Sequence, residues 1–218
     1  MRSNVQQSFR RKLTDPRFKE AIRQPLYDTL DFDSGVTTEL RFFSVPQGQS
    51  GKTRQETNLD LAGQLSKGQK FAAQGVELHL LPGSSAAAYV RQEPVRQNAA
   101  VAAPQFANDI WALAQAGHLE INIGSKNYLT AGPLLLFPPS QGILIAPAVE
   151  QNLAAAAAQS LTSDYARMAG RPFAIDPELP IEENNNFSVV IKWPAAFALP
   201  SGFDARIKCV LLGVLFRN

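Results

Sequence analysis

The sequence predicts an all-β protein built from antiparallel sheets, and three observations predict it. The segments Phe187–Trp193 and Ala205–Arg217 repeat with the period of a strand. Fifteen prolines and fourteen glycines punctuate the chain between such segments. No strand–helix–strand alternation runs along it, which argues against a parallel sheet.

The closing pair organises the rest. In Phe187–Trp193, Phe187, Val189, Ile191 and Trp193 point one way and Ser188 and Lys192 the other, with Val190 as the exception. A loop with Pro194, Pro200, Ser201 and Gly202 follows. Ala205–Arg217 begins with Arg206 and Lys208 opposite Ile207 and Cys209. From Cys209 to Phe216 it is apolar on both faces apart from Gly213, so both faces must be covered, by its own fold or at a subunit contact.

Earlier elements follow in order. Val36–Ser44 has strand character, with Val36, Thr38, Leu40 and Phe42 on one face. Pro46 to Lys52 reads as an exposed loop. Thr53–Leu59 is expected as a weak polar strand and Ala62–Gly68 as a turn region. Lys70–Leu81 is a strong strand ended by Pro82-Gly83. Ser84–Pro104 reads as a long loop, and Gln105–Ala116 as a helix with Gly117 as its stop. His118–Gly124 and Tyr128–Phe137 form a hairpin around Ser125-Lys126-Asn127. Glu150–Ala169 is expected to be helical from its alanine run, inside a second insertion, Ser140–Gly170. Pro172–Asp176 is a short strand and Glu178–Asn186 a polar connector.

The count is about eight strands, with helices confined to two insertions. It predicts a single eight-stranded antiparallel jelly-roll sandwich at 35–218, preceded by an N-terminal arm at 1–34. The 218 residues, 45% hydrophobic, suffice for one real core, and the 18% charged content is low for a solvated surface.

Charge is unevenly placed. Residues 1–25 hold seven cations (Arg2, Arg10, Arg11, Lys12, Arg17, Lys19, Arg23) against Asp15 and Glu20, a net of +5. The whole chain is +2, so the remainder is −3. Val5, Phe9 and Leu13 recur at helical spacing among the cations until Asp15-Pro16 breaks the pattern. Phe18, Ala21 and Ile22 suggest a further turn or two. Pieces this short order only against a partner or the domain itself. A basic amphipathic arm implies an anionic neighbour, lipid or nucleic acid; Phe9, Leu13, Phe18 and Ile22 lean toward an interfacial helix. A solvated tail is the competing reading.

The single cysteine, Cys209, excludes an intrachain disulfide and reads as a small core residue. No apolar run is long enough to span a membrane, and the N-terminus lacks the apolar segment of a secretory signal. The expected location is a reducing cytoplasm or a particle assembled there.

The pattern offers little catalytic chemistry. His79 and His118 sit on outward strand faces and make no zinc-ligand cluster. No nucleophile elbow occurs, and Gly51-Lys52-Thr53 resembles the end of a phosphate loop but lacks its first glycine and a following helix. Asp164, Glu182-Glu183, Glu77 and Glu120 read as solvated charges. The expectation is no enzyme, no metal and no cofactor.

A resemblance adds to this. Thr57-Asn58-Leu59, Ala62-Gly63-Gln64-Leu65, Gly68-Gln69-Lys70-Phe71 and Gly75-Val76-Glu77-Leu78 resemble the start of capsid proteins from tailless icosahedral bacteriophages. Leu119–Gly124 with Lys126 and Tyr128, Phe187-Ser188-Val189, Arg206-Ile207 and the run Leu211–Arg217 are similar too. The resemblance covers most of residues 36–217. It implies a jelly-roll major capsid protein, a structural virion component that assembles in the host cytoplasm into pseudo-hexagonal capsomers of an icosahedral shell, trimeric or hexameric homo-oligomers. In relatives with an internal membrane, an N-terminal amphipathic segment lies against the lipid. Many relatives carry two fused jelly rolls and this chain one, which leaves room for a second capsid protein in the lattice.

On this reading Arg2, Phe9, Arg10, Arg11, Lys12, Leu13, Arg17, Lys19 and Arg23 contact membrane or genome. Trp111, Leu153, Leu161, Val210, Leu212, Val214 and Phe216 are the candidate subunit interface. The alternative is a phage receptor- or carbohydrate-binding β-sandwich that uses loops at one end, Pro46–Lys52 and Ser84–Arg96, with Tyr89 or Trp193 as a stacking surface. An enzyme on the same scaffold is the weakest reading.

Overall fold

The structure, a computed structural model, describes residues 19–82, 95–98, 106–139, 148–152, 159–163 and 170–218. Its longest strands are β4 (Gln69–Pro82) and β12 (Ala205–Arg217), antiparallel neighbours in the middle of the first sheet. β12 is flanked on its other side by β1 (Glu20–Ile22) and β2 (Leu26–Phe32), and β4 by β10 (Phe173–Glu182). The second sheet has the order β3 (Glu39–Phe42), β11 (Phe187–Lys192), β6 (His118–Ile123), β7 (Lys126–Ala131). A third small sheet joins β5 (Val95–Asn98), β9 (Gln159–Ser163) and β8 (Ala148–Asn152). All these pairings are antiparallel.

The two large sheets share one core, so the chain is an all-β sandwich. Phe32, Phe71, Leu78 and Ile207 of the first sheet and Phe42, Leu119, Ile121 and Ile191 of the second belong to one buried cluster. Aromatic contacts tie it together: Phe32 meets Trp193 edge-on at 5.0 Å, and Phe43 meets Phe187 at 5.3 Å. Helix α1 (Phe106–Ala116) adds Ile110, Leu113 and Ala114 to the same cluster. Trp193 Nε1 donates to the Leu113 carbonyl at 3.2 Å.

Gly117 follows α1 as expected, for a different reason. A Cβ there would lie 2.7 Å from Leu134 Cδ1 and 2.8 Å from Trp193 Nε1, so the position is small because of packing. Gly213, the one gap in the apolar run, has the same logic. A Cβ on it would stand 2.1 Å from the Ala72 carbonyl oxygen. Opposite it, β4 bulges: Leu212 pairs Gly75 and Gly213 pairs Ala73, which leaves Gln74 as the extra residue.

Several expected elements are corrected. The arm does not extend to residue 34. β1 and β2 are strands of the first sheet, and residues 20–22 are extended rather than helical. They follow one register: Ile22 lies opposite Leu215 and Leu26 opposite Leu211, so no residue is skipped across Arg23–Pro25. Only Glu39–Phe42 of Val36–Ser44 is strand, and Val36 is 71% exposed. Thr53–Leu59 is turn, touching β2 through a Thr57–Asp28 bridge. The hairpin partner stops at Ala131 and passes into a 3₁₀ turn, Leu134–Leu136. β10 extends through the supposed polar connector to Glu182, and Ile181 is buried.

The expected helix at Glu150–Ala169 is replaced, in its described parts, by strand. Glu150–Asn152 belongs to β8 and Gln159–Ser163 is β9. Alanine's preference is a weak local bias that pairing partners override. β9 also pairs β5, so the two insertions are joined by backbone hydrogen bonding.

Candidate functional site

The closing strand alternates cleanly once its partners are in place. Ile207, Cys209, Leu211 and Leu215 face the shared core. Val210, Leu212, Val214 and Phe216 line the outer face. Val214 and Phe216 pack with Ala72 and Ala21 in a second small apolar cluster. Of the candidate interface residues, Val210, Val214 and Phe216 are therefore buried within the chain and Leu212 is half-buried. Trp111 lies apart from them, 55% exposed on α1. Leu161 lies in β9 with its backbone opposite Glu150 and Arg96, and Leu153 falls outside the described residues.

The free side of β2 is tied down by charge. Asp28 is fully buried; it accepts from the backbone N–H of Phe43 and of Thr29 (3.0 Å) and from Lys52 Nζ. Burial pushes the Asp28 carboxyl above its ordinary value, and Lys52 and the two N–H groups only partly offset this. Nearby, buried Arg206 pairs with Asp31 at 2.7 Å and Glu56 at 2.6 Å. Burial raises the Glu56 carboxyl, but the Thr53 N–H and Arg206 outweigh it and leave the pKa lowered. Lys208 lies over the Tyr27 ring at 4.4 Å, its ammonium disfavoured by burial and by neighbouring Arg206. These groups hold the 52–57 turn against the sheet. The Gly51-Lys52-Thr53 segment is thus structural: its lysine serves Asp28.

The arm leads into one identifiable end of the sandwich. Lys19 N–H donates to the Arg217 carbonyl at 2.9 Å, and Asn218 N–H to that of Gly68 at 3.2 Å. Gln64 and the Gly124 turn meet Asn186 at the same end. The described cations here are Lys19, Arg23, Arg54, Lys67, Lys70, Lys126 and Arg217, against Glu20, Asp60, Glu182 and Glu183, seven to four. Of the candidate arm residues, Lys19 and Arg23 are exposed here. Arg2, Phe9, Arg10, Arg11, Lys12, Leu13 and Arg17 lie outside the described residues.

A groove of about 400 Å³ opens beside the β1–β2 break. Its walls come from residues 24–27, the 47–69 region and the end of β12. Arg54 and Arg217 line it with Asp60, Gln24, Gln47, Asn58, Gln64 and Gln69, above Leu26, Leu59, Leu65 and Leu215. Arg54 Nε donates to Gln47 Oε1 at 3.1 Å, and Arg217 Nη2 to Gln24 Oε1 at 3.1 Å. Among the described residues no carboxylate pairs with either guanidinium.

Elsewhere the chemistry is sparse. His79 pairs with Glu77 at 3.1 Å. His118 and Lys192 share Glu120, at 3.3 and 2.9 Å, and Lys192 foremost lowers the Glu120 carboxyl. Among the described residues no three metal-binding side chains converge. Cys209 is fully buried, and burial, with Asp28 and Glu77 nearby, pushes its thiol well up. Trp193 is not a sugar platform: it is 4% exposed and packed on Phe32. Tyr89 lies outside the described residues. No helix among the described residues is long and apolar enough to cross a membrane.

No family model, curated protein or solved structure matches this chain. Two features escape sequence reading. Asp28 carries a signal, an acid inside an otherwise alternating run, Leu26–Phe32, but its partner Lys52 is remote. The groove carries none, because its walls come from three distant stretches.

Proposed function

We propose that this chain is a structural, self-assembling shell subunit, a bacteriophage capsid protein with a jelly-roll body. The observation that carries the reading is strand order. Set aside β5, β8 and β9 as insertions and count β1–β2 as one strand. The body is then eight strands, arranged 1-8-3-6 in one sheet and 2-7-4-5 in the other. That order supports a double-sheet jelly roll, an architecture used by viral capsid, lectin and cupin domains. Cupin-type metal chemistry has no supporting ligand cluster among the described residues, and a lectin-type role loses one of its two candidate stacking residues with Trp193 buried.

The shell reading also accounts for a low-charge surface with exposed Trp111, Val36 and Phe203, apolar area that copies of the chain would cover. Homo-oligomeric capsomers form through these faces and the joined insertions, alone or with a second capsid protein. The basic arm leaves from the end marked by Lys19 and Arg217 and meets a neighbouring subunit, an internal membrane or the genome. Electron microscopy of the purified full-length chain tests this. Rings, sheets or shells are expected; a strict monomer at every salt and protein concentration overturns it.

A further inference from the structure

We propose that the groove beside the β1–β2 break binds the phosphate group of a small hydroxylated ester, held by Arg54 and Arg217. The two arginines come from different elements, the 52–57 turn and the end of β12, and both line the same groove of about 400 Å³. Each is oriented by a neutral amide, Gln47 for Arg54 and Gln24 for Arg217. A glutamine carbonyl aims a guanidinium without cancelling its charge. By contrast, Arg206 is paired with Asp31 and Glu56, and Arg41 with Glu39. Arg217 Nε is buried without a partner, so this side chain has hydrogen-bonding capacity left over.

Paired guanidinium forks suit phosphate oxygens. The groove is too large for phosphate alone. Asp60 on its wall repels a bare anion but accepts hydroxyl hydrogens, so the two arginines and this acid together fit a phosphorylated polyol. Neighbouring amides supply further donors and acceptors. Stacking platforms for bases are missing: Tyr27, the one aromatic in the lining, has its ring under Lys208. The ligand is a soluble phosphate ester or the headgroup of an anionic phospholipid. The site needs only the folded domain, so it stands or falls independently of shell assembly.

The test is calorimetric titration of the full-length chain with glycerol 3-phosphate, inorganic phosphate and glycerol. Saturable binding of both phosphates, and none of glycerol, is expected. Arg54→Gln and Arg217→Gln should each weaken binding about tenfold, as loss of a charged hydrogen bond does. Asp60→Asn should strengthen inorganic phosphate, by removing the repulsion, and reduce the preference for glycerol 3-phosphate over it. Lys126→Gln, the same charge change outside the groove, should alter neither. Arg54 lies in an exposed turn, so its variant carries the test if Arg217→Gln unfolds. Sedimentation with phosphatidylglycerol vesicles separates the sources: weakening by Arg54→Gln identifies a headgroup, and indifference a soluble ester. The proposal is overturned if neither phosphate saturates, if Lys126→Gln costs as much as Arg54→Gln, or if the two arginines bind only an oligonucleotide.

Discussion

Replacing Lys52 by Met removes the only cation bonded to Asp28 among the described residues. Asp28 has no exposed side-chain surface and Lys52 has 11%, so water cannot replace the lost ammonium without opening the structure. Stranding one member of a buried ion pair costs about 3–5 kcal/mol. Domains hold only about 5–15 kcal/mol in total. For a chain of this size each kcal/mol moves Tm by roughly 2–4 °C, so a fall of about 6–20 °C is expected. Urea unfolding followed by the fluorescence of buried Trp193, at fixed protein concentration, reads it directly. The pH dependence has a definite sign. Burial holds the Asp28 pKa above its unfolded value even beside Lys52. Ionising it in the fold therefore costs stability; the cost is absent below the unfolded pKa of about 3.9 and complete above the folded one. Removing Lys52 enlarges this cost, so wild type and Lys52→Met should diverge at neutral pH and converge as pH falls. The double variant Asp28→Asn/Lys52→Met should lose less than the single one, with a coupling of about 2 kcal/mol. A Lys52→Met loss under about 1 kcal/mol, or one independent of pH, would refute the claim that this pair pins the edge of β2.

Three further outcomes are expected. Gly213→Ala should cost about 3 kcal/mol or more in urea unfolding, because its Cβ would strike the Ala72 carbonyl and the backbone must yield; a loss near zero would show that the bulge at Gln74 relaxes freely. Cys209 should react with a thiol reagent only at the rate of global unfolding, across the neutral range, since burial raises its thiol pKa; fast labelling of the native protein would contradict this. Deleting residues 1–18 should leave the melting temperature unchanged, because β1 begins at Glu20, while abolishing particle formation; normal particles from the truncated chain would remove the arm from assembly.

The long strands are legible because period-two stretches or long apolar runs mark them and turn residues bound them. β4, β6, β11 and β12 lie within a residue or so of their expected bounds, and α1 was readable from Ile110 and Leu113. What failed depended on distant partners or turn chemistry. Val36 reads as strand but lies in a turn in which the Asp33 carbonyl accepts from Val36 and Thr37 N–H, and Thr37 Oγ1 accepts from Asp33 N–H. β2 is hidden in the sequence because Asp28 stands on its apolar face; the cation that makes it tolerable, Lys52, comes from a loop 24 residues on. The alanine-rich insertion was misread because β5, the partner of β9, stands about 60 residues earlier. The groove left no local trace at all.

The continuous register of β1 and β2 along β12 links these observations. Opening and closing strands are neighbours, so chain entry and exit coincide at one end, next to the groove. Residues 1–18, outside the described residues, carry five cations and one acid, a net of +4, and join the described chain at Lys19, at an end with seven cations against four acids. The whole chain is +2, so the residues outside 1–18 and that end sum to −5. A subunit polarised along the sandwich orients itself in the field of an anionic surface before it makes any contact. In a shell, copies standing side by side would place like charge beside like charge at the basic end. Assembly then gains wherever a polyanion neutralises that end, and it should weaken when salt screens the polyanion instead. On the shell reading proposed above, the two ends would do different work: the charged end would meet the anion, and lateral association would be left to the exposed Val36, Phe203 and Trp111.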